Sequence, residues 1–180
     1  MHAAMNSTTK SKLRKLLLAL AAVLVVGVAA GTLYWTYTCP CDRMPGFILM
    51  GETAAAPVSD WSFANNVDLC QIQISASGRP HAINLNCMAT AEGRLYLSCS
   101  ACDTKYWASK VANNPRGRLR LNGIVYPITI TRVTNPPEMD QAWNARITKL
   151  QVVGNTGNPA PPADAERNDS WWTFRVESVI

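Results

Sequence analysis

No acidic residue precedes Asp42, and no charge of either sign occurs between Leu16 and Trp35. The chain has two histidines, and only His81 lies beyond that uncharged stretch. It carries no glycine-rich nucleotide loop, no zinc-protease helix and no hydrolase elbow, and it shows no internal repeat. His81 has no identifiable acidic or nucleophilic partner and reads as a poor general base, so catalytic residues stay unassigned. These absences remove the common side-chain signatures of hydrolysis and nucleotide turnover.

The missing acids also change the meaning of the net charge of +5. Lys10, Lys12, Arg14 and Lys15 all precede the uncharged stretch; setting these four of the 17 basic residues aside leaves 13 against 12 acidic ones. The basic excess is therefore a membrane-topology signal, and a nucleic-acid partner is set aside. Leu16–Trp35 reads LLLALAAVLVVGVAAGTLYW, and a helix of that length spans about 30 Å, the thickness of a bilayer's hydrocarbon core. Tyr34, Trp35 and Tyr37 follow where aromatic rings favour the headgroup boundary. The expected organisation is a cytoplasmic basic tail (1–15), a transmembrane anchor (16–38), a juxtamembrane connector (39–60) rich in Pro, Gly and Ala, and a domain over 61–180. That domain is expected on the extracytoplasmic, periplasmic side of a single-pass membrane protein, with the lipid bilayer as a partner. A cleaved signal peptide ending near Val-Ala-Ala-Gly at 28–31 competes, but its apolar region exceeds the usual length. Asn6 and Asn168 match the glycosylation pattern, and both are discounted.

All six cysteines lie beyond the anchor, at 39, 41, 70, 87, 99 and 102. The Cys39-Pro-Cys41 and Cys99-Ser-Ala-Cys102 pairs have metal-ligand spacing, but they are far apart and no histidine supports them. One or two disulfides plus core thiols are the favoured reading, with Cys39 and Cys41 pairing elsewhere, and no metal is expected.

Short segments of period-two alternation signal half-buried strands at Leu69–Ser75, His81–Thr90 and Arg94–Ala101. A three-residue loop Ala91-Glu92-Gly93, with Gly93 left-handed, aligns the apolar faces of the last two. That register makes Asn84, Asn86, Ser98 and Ser100 neighbours on one polar surface. It makes Cys87 and Cys99 diagonal neighbours, which suits a disulfide poorly. Thr104–Asn114 is predicted to be a helix capped by Asp103 or Thr104. Arg116–Leu121 and Ile124–Val133 form a hairpin around Asn122-Gly123, and Pro127 marks the second arm as an edge or a bulge. Pro136–Leu150 is a second helix, Gly154–Asn168 a flexible loop of no chemical promise, and Trp171–Val179 a last strand. The fold class is mainly β with two helices (α+β), and about six strands close most naturally into a small barrel.

The order of elements resembles the flavin-binding split barrel of pyridoxamine-phosphate-oxidase-like proteins and deazaflavin-dependent nitroreductases. The residues carrying the likeness are Arg79-Pro-His-Ala-Ile-Asn, Gly93-Arg-Leu-Tyr-Leu-Ser, Lys105-Tyr-Trp-Ala, Asn114-Pro115-Arg116, Arg118-Leu-Arg-Leu-Asn-Gly and Trp171-Trp-Thr-Phe-Arg-Val. The resemblance covers roughly Pro57 to Glu177. It implies a homodimer with FMN or a deazaflavin across the subunit interface. The cofactor-binding positions it implies are Asn84, Asn86, Ser98, Ser100 and Lys105, with Trp107 as a packing wall. Lys105 is expected near a helix N-terminus, beside backbone donors suited to phosphate. The second strand carries no arginine of the kind that grips phosphate in pyridoxamine-phosphate oxidases.

Each sharp reading has a plainer one beside it. The Asn/Ser surface is a cofactor shelf or a wetted sheet face. Arg116, Arg118 and Arg120 bind an anion or guard a strand edge. Trp107, Trp143, Trp171 and Trp172 read as core and dimer packing. The function expected is a membrane-anchored flavin- or deazaflavin-using oxidoreductase, the alternative a non-catalytic split barrel binding a ligand or partner at the membrane surface.

Overall fold

The structure is a computed structural model that describes residues 7–154 and 157–179; Asn6 and the Asn155-Thr156 step lie outside them. Contacts divide the chain into a helical unit up to Thr36 and a second unit from Tyr37 onward. Helix α1 (Ser7–Thr38) is long and apolar enough to cross a membrane. Its Thr32 and Thr36 hydroxyls donate 2.8 Å bonds to the carbonyls four residues earlier, which spares an apolar helix two exposed donors. Lys10, Lys12, Arg14 and Lys15 ride on this helix.

The second unit is built on β1 (Glu52–Thr53), β2 (Cys70–Ala76), β3 (Arg79–Ala89), β4 (Leu95–Cys99), β5 (Arg116–Leu121), β6 (Ile124–Val133) and β7 (Trp172–Ser178). The strand order is β1-β6-β5-β2-β3-β4-β7, and β6 also pairs with β7. Six antiparallel strands therefore close into a barrel, and β1 adds a short parallel pair outside it. Closure leaves no long unpaired edge. Alternate residues fill the interior, among them Ile72, Ile74, Leu95, Leu97, Leu119, Ile128, Ile130 and Phe174.

The β3–β4 turn takes the expected three-residue form, with Gly93 at φ +77° and Cys87 opposite Leu97. A Cβ on Gly93 would also meet Asp60 Oδ1 at 2.6 Å. Gly93→Ala is therefore expected to lower stability by about 2 kcal/mol, from left-handed strain and displacement of Asp60; an unchanged thermal midpoint would contradict this. Asn122 (φ 49°) and Gly123 (φ 82°) make the tight turn between β5 and β6. Pro127 sits inside an unbulged ladder with β5, so β6 is no edge strand. Its carbonyl accepts from Val179 N, and its missing N–H faces the same side, beyond the last β6–β7 ladder pair.

Helix α3 (Pro136–Val153) is capped by Asn135, whose Oδ1 accepts from Glu138 N at 3.1 Å. It covers the outer face of β3 and β4 through Met88, Tyr96, Val133 and Ala142. The helix expected over Thr104–Asn114 is shorter: a turn at Cys102–Thr104 precedes α2 (Ala108–Val111). Cys102 is tied to the end of β4 by a disulfide and Trp107 plugs into the core, so the chain between these two anchors runs extended at Lys105.

Candidate functional site

The polar faces of β3 and β4 meet because Asn86 lies opposite Ser98 in the ladder. They form the floor of a cleft of about 870 Å³. Asn84, Asn86, Ser98, Ser100, Lys105 and Trp107, all six residues singled out from the sequence, line this one cleft. Ser100 and Lys105 are exposed, whereas Trp107 is buried and packs on Phe174 at 5.0 Å between ring centres. Trp107 thus belongs chiefly to the core and offers the cleft an edge. The Ser98 hydroxyl is buried and finds no hydrogen-bond partner among the described residues. An orphaned buried hydroxyl is costly, and it is the kind of group a bound ligand satisfies.

Three walls were not legible beforehand. The connector folds back on the barrel through paired backbone bonds between Gly46 and Ala82, and Asp42–Pro45 line the cleft. Asn84 donates to the Asp42 carbonyl at 2.9 Å. The loop after α3 contributes Asn158, whose amide exchanges two hydrogen bonds with that of Asn86. That loop is tied down, since Trp143 Nε1 donates to Ala165 O at 2.7 Å and Arg167 pairs with Asp140 at 3.0 Å. The loop expected to be without chemical promise thus contributes Asn158 to the cleft wall. Tyr106 and His81 form the third wall, edge to face at 5.3 Å. Burial and the nearby Arg79 lower the His81 pKa below its ordinary value, which disfavours the charged imidazole. Arg43 and Lys105 supply positive charge to the lining, and Asp42 and Asp68 supply negative.

Lys105 does not sit at a helix N-terminus, because α2 begins only at Ala108. Its contribution to the cleft is its own charge. The arginines of β5 do not guard an edge either, since β5 lies between β2 and β6. Arg120 is occupied with the connector, donating to Met50 O at 2.8 Å and to Gln71.

All six cysteines are paired, as Cys39–Cys41, Cys70–Cys87 and Cys99–Cys102. This is one bridge more than expected. Cys39 and Cys41 join each other, with their Cα atoms 4.4 Å apart, just ahead of a tight turn in which Cys41 and Met44 exchange backbone bonds. Cys70 and Cys87 are diagonal neighbours, since the register sets Cys70 opposite Leu85, yet their Cα atoms are 5.7 Å apart. Sheet twist shortens one diagonal of each pair, which admits a bridge there.

No protein-family model matches the chain, and no curated protein matches it in sequence. Several solved structures are similar to it at low identity. A pyridoxamine 5'-phosphate oxidase-related, FMN binding protein from Nostoc punctiforme is 14% identical, at a TM-score of 0.43, over 65% of this chain and 73% of that one. A NimC/NimA family protein from Clostridium acetobutylicum is 13% identical, at 0.41, over 64% and 74%. A candidate 5-nitroimidazole antibiotic resistance protein from Bacteroides thetaiotaomicron is 11% identical, at 0.48, over 79% and 92%. The closed six-stranded split barrel rests on the strand order itself.

Proposed function

We propose that the cleft binds a planar, anionic redox cofactor of the flavin or deazaflavin class, in a membrane-anchored oxidoreductase. The observation that carries this reading is the convergence of Asn84, Asn86, Ser98, Ser100 and Lys105 on one cleft of about 870 Å³. That volume falls within the range of small-molecule and cofactor sites. The donor set fits such a ligand: the orphaned Ser98 hydroxyl and exposed Ser100 offer hydrogen bonds, and Lys105 offers a cation to a phosphate. The edge of Trp107 gives a flat group something apolar to lie against. When bound, the ring supplies hydride or electron transfer, and the chain's part is to orient it and exclude water.

In this reading α1 anchors the domain with its basic end in the cytoplasm. The barrel lies on the far side, where three disulfides persist. A second copy of the chain completes the cofactor site as a homodimer, which sedimentation of the full chain in detergent tests directly.

The visible spectrum of the full chain purified in detergent, with and without added FMN or deazaflavin, tests the cofactor. A chromophore absorbing at roughly 370–450 nm is expected. Lys105→Ala should weaken uptake at least several-fold through loss of a charge-assisted contact. A colourless protein that takes up neither ring ends this reading. The non-catalytic alternative draws on one observation, that the Asn84 and Asn86 amides are already engaged by Asp42 and Asn158.

A further inference from the structure

The three disulfides occupy different settings. Cys70–Cys87 joins two strands inside the core, with both residues at most 1% exposed. Cys39–Cys41 closes the turn that leads into a cleft wall. Cys99–Cys102 stands at the site itself: Cys99 lines the cleft, between Ser98 and Ser100, while Cys102 is fully buried behind it.

We propose that Cys99–Cys102 is a redox-active pair that exchanges electrons with small dithiols entering the cleft. Four observations carry this. The bridge spans a sequence separation of only 3, so opening it releases little chain entropy and leaves the barrel intact. Ala101, within the bridged loop, stands at φ 48°, a left-handed conformation that is costly for a non-glycine residue. Cys99 is 8% exposed and lines the cleft, whereas Cys102 is fully buried and does not, so Cys99 is the sulfur that an incoming thiolate would attack. Lys105 lines the same cleft and stabilises a thiolate formed at Cys99.

The exchange balances without a further reactant. A substrate thiolate attacks Cys99 Sγ and forms a mixed disulfide; the bond to Cys102 breaks, and Cys102 leaves as a thiolate that takes up a proton. The substrate's second thiol gives its proton to solvent and attacks its own bridged sulfur, releasing Cys99 as a thiolate that is protonated in turn. The substrate becomes a disulfide, and the chain holds a dithiol that a small-molecule disulfide reoxidises by the reverse path. Juxtaposition with a flavin-class ligand rests on the reading above, whereas the exchange itself does not.

The test uses the full chain in detergent with no flavin added. It is equilibrated against mixtures of reduced and oxidised dithiothreitol, quenched with an alkylating reagent and mapped by peptide mass. Cys99 and Cys102 should become labelled together under conditions that leave Cys70 and Cys87 oxidised, and oxidised dithiothreitol should reverse the labelling. Cys102→Ser should release one equivalent of thiol from a chromogenic aryl disulfide without denaturant, and Cys99→Ser should release none. If Cys99–Cys102 opens only in denaturant, together with Cys70–Cys87, the proposal fails even where a variant does not fold. A colourless protein that still exchanges would end the cofactor reading and leave this one standing.

Discussion

Replacing Trp107 by alanine is expected to lower stability by about 3–5 kcal/mol, the usual cost of truncating a large core aromatic. Trp107 is 6% exposed, packs on Phe174 and belongs to the same apolar cluster as Ala108 and Val111 of α2. Losing the indole leaves a void between the barrel and this four-residue helix, which has too few hydrogen bonds to stand alone. The same void opens toward the cleft, so ligand uptake should fall with stability. Trp107→Phe keeps most of the ring volume and should recover most of both. Thermal unfolding of the full chain in detergent, followed by near-ultraviolet circular dichroism, reads the effect. A loss below about 1 kcal/mol would show that the indole does not support the core.

The second large effect lies in Lys149. Its ammonium sits inside the protein, 3% exposed, and donates to the Ala64 carbonyl at 2.9 Å and the Cys87 carbonyl at 2.7 Å. Burial pushes its pKa down from 10.5 to about 8, and Asp68 partly offsets this. In the unfolded chain Lys149 keeps its proton up to the ordinary value. Between those two values the unfolded state binds a proton that the folded state lacks, so stability rises with pH. The full span is worth about 3 kcal/mol, and below the folded value the penalty is constant. Lys149→Met removes the titration but leaves two buried carbonyls without their donor. Its stability at neutral pH should therefore not improve, while the rise from about pH 8 to pH 10 disappears. Parallel denaturation profiles for the two proteins across that range would refute the assignment.

Local signals carried most of the fold. Alternation placed the strands at Leu69–Ser75, His81–Thr90 and Arg94–Ala101, Asn122-Gly123 fixed one hairpin, and the need to align Leu95 and Leu97 with Leu85 and Cys87 fixed the left-handed Gly93 and the ladder beyond it. That register is also why the Asn and Ser residues of the cleft were legible, because two strands in known register present known faces. What escaped was non-local. Asn158 reaches Asn86 across 72 residues of sequence, and nothing in its own neighbourhood marks it. Lys149 is on a helix whose polarity reads as solvent-facing, and only the fold shows its ammonium turned inward to Cys87. Helix propensity over Thr104–Asn114 was real, but a disulfide at one end and a buried tryptophan near the middle overrode it. The spacing of Cys39 and Cys41 was a signal for the tight turn that walls the cleft, read instead as two cysteines seeking distant partners.

Helix α1 has 32 residues, about 48 Å at 1.5 Å per residue, which exceeds a bilayer's hydrocarbon core by roughly three turns. Part of the surplus is at its basic end, where Lys10, Lys12, Arg14 and Lys15 are still helical. At about 100° per residue these four fall as two neighbouring pairs, Lys10 with Arg14 and Lys12 with Lys15, and together cover a little more than half of the cylinder. In the proposed topology that broad basic band meets phosphate headgroups and sets how deep the helix rides, while the uncharged remainder gives it a preferred rotation.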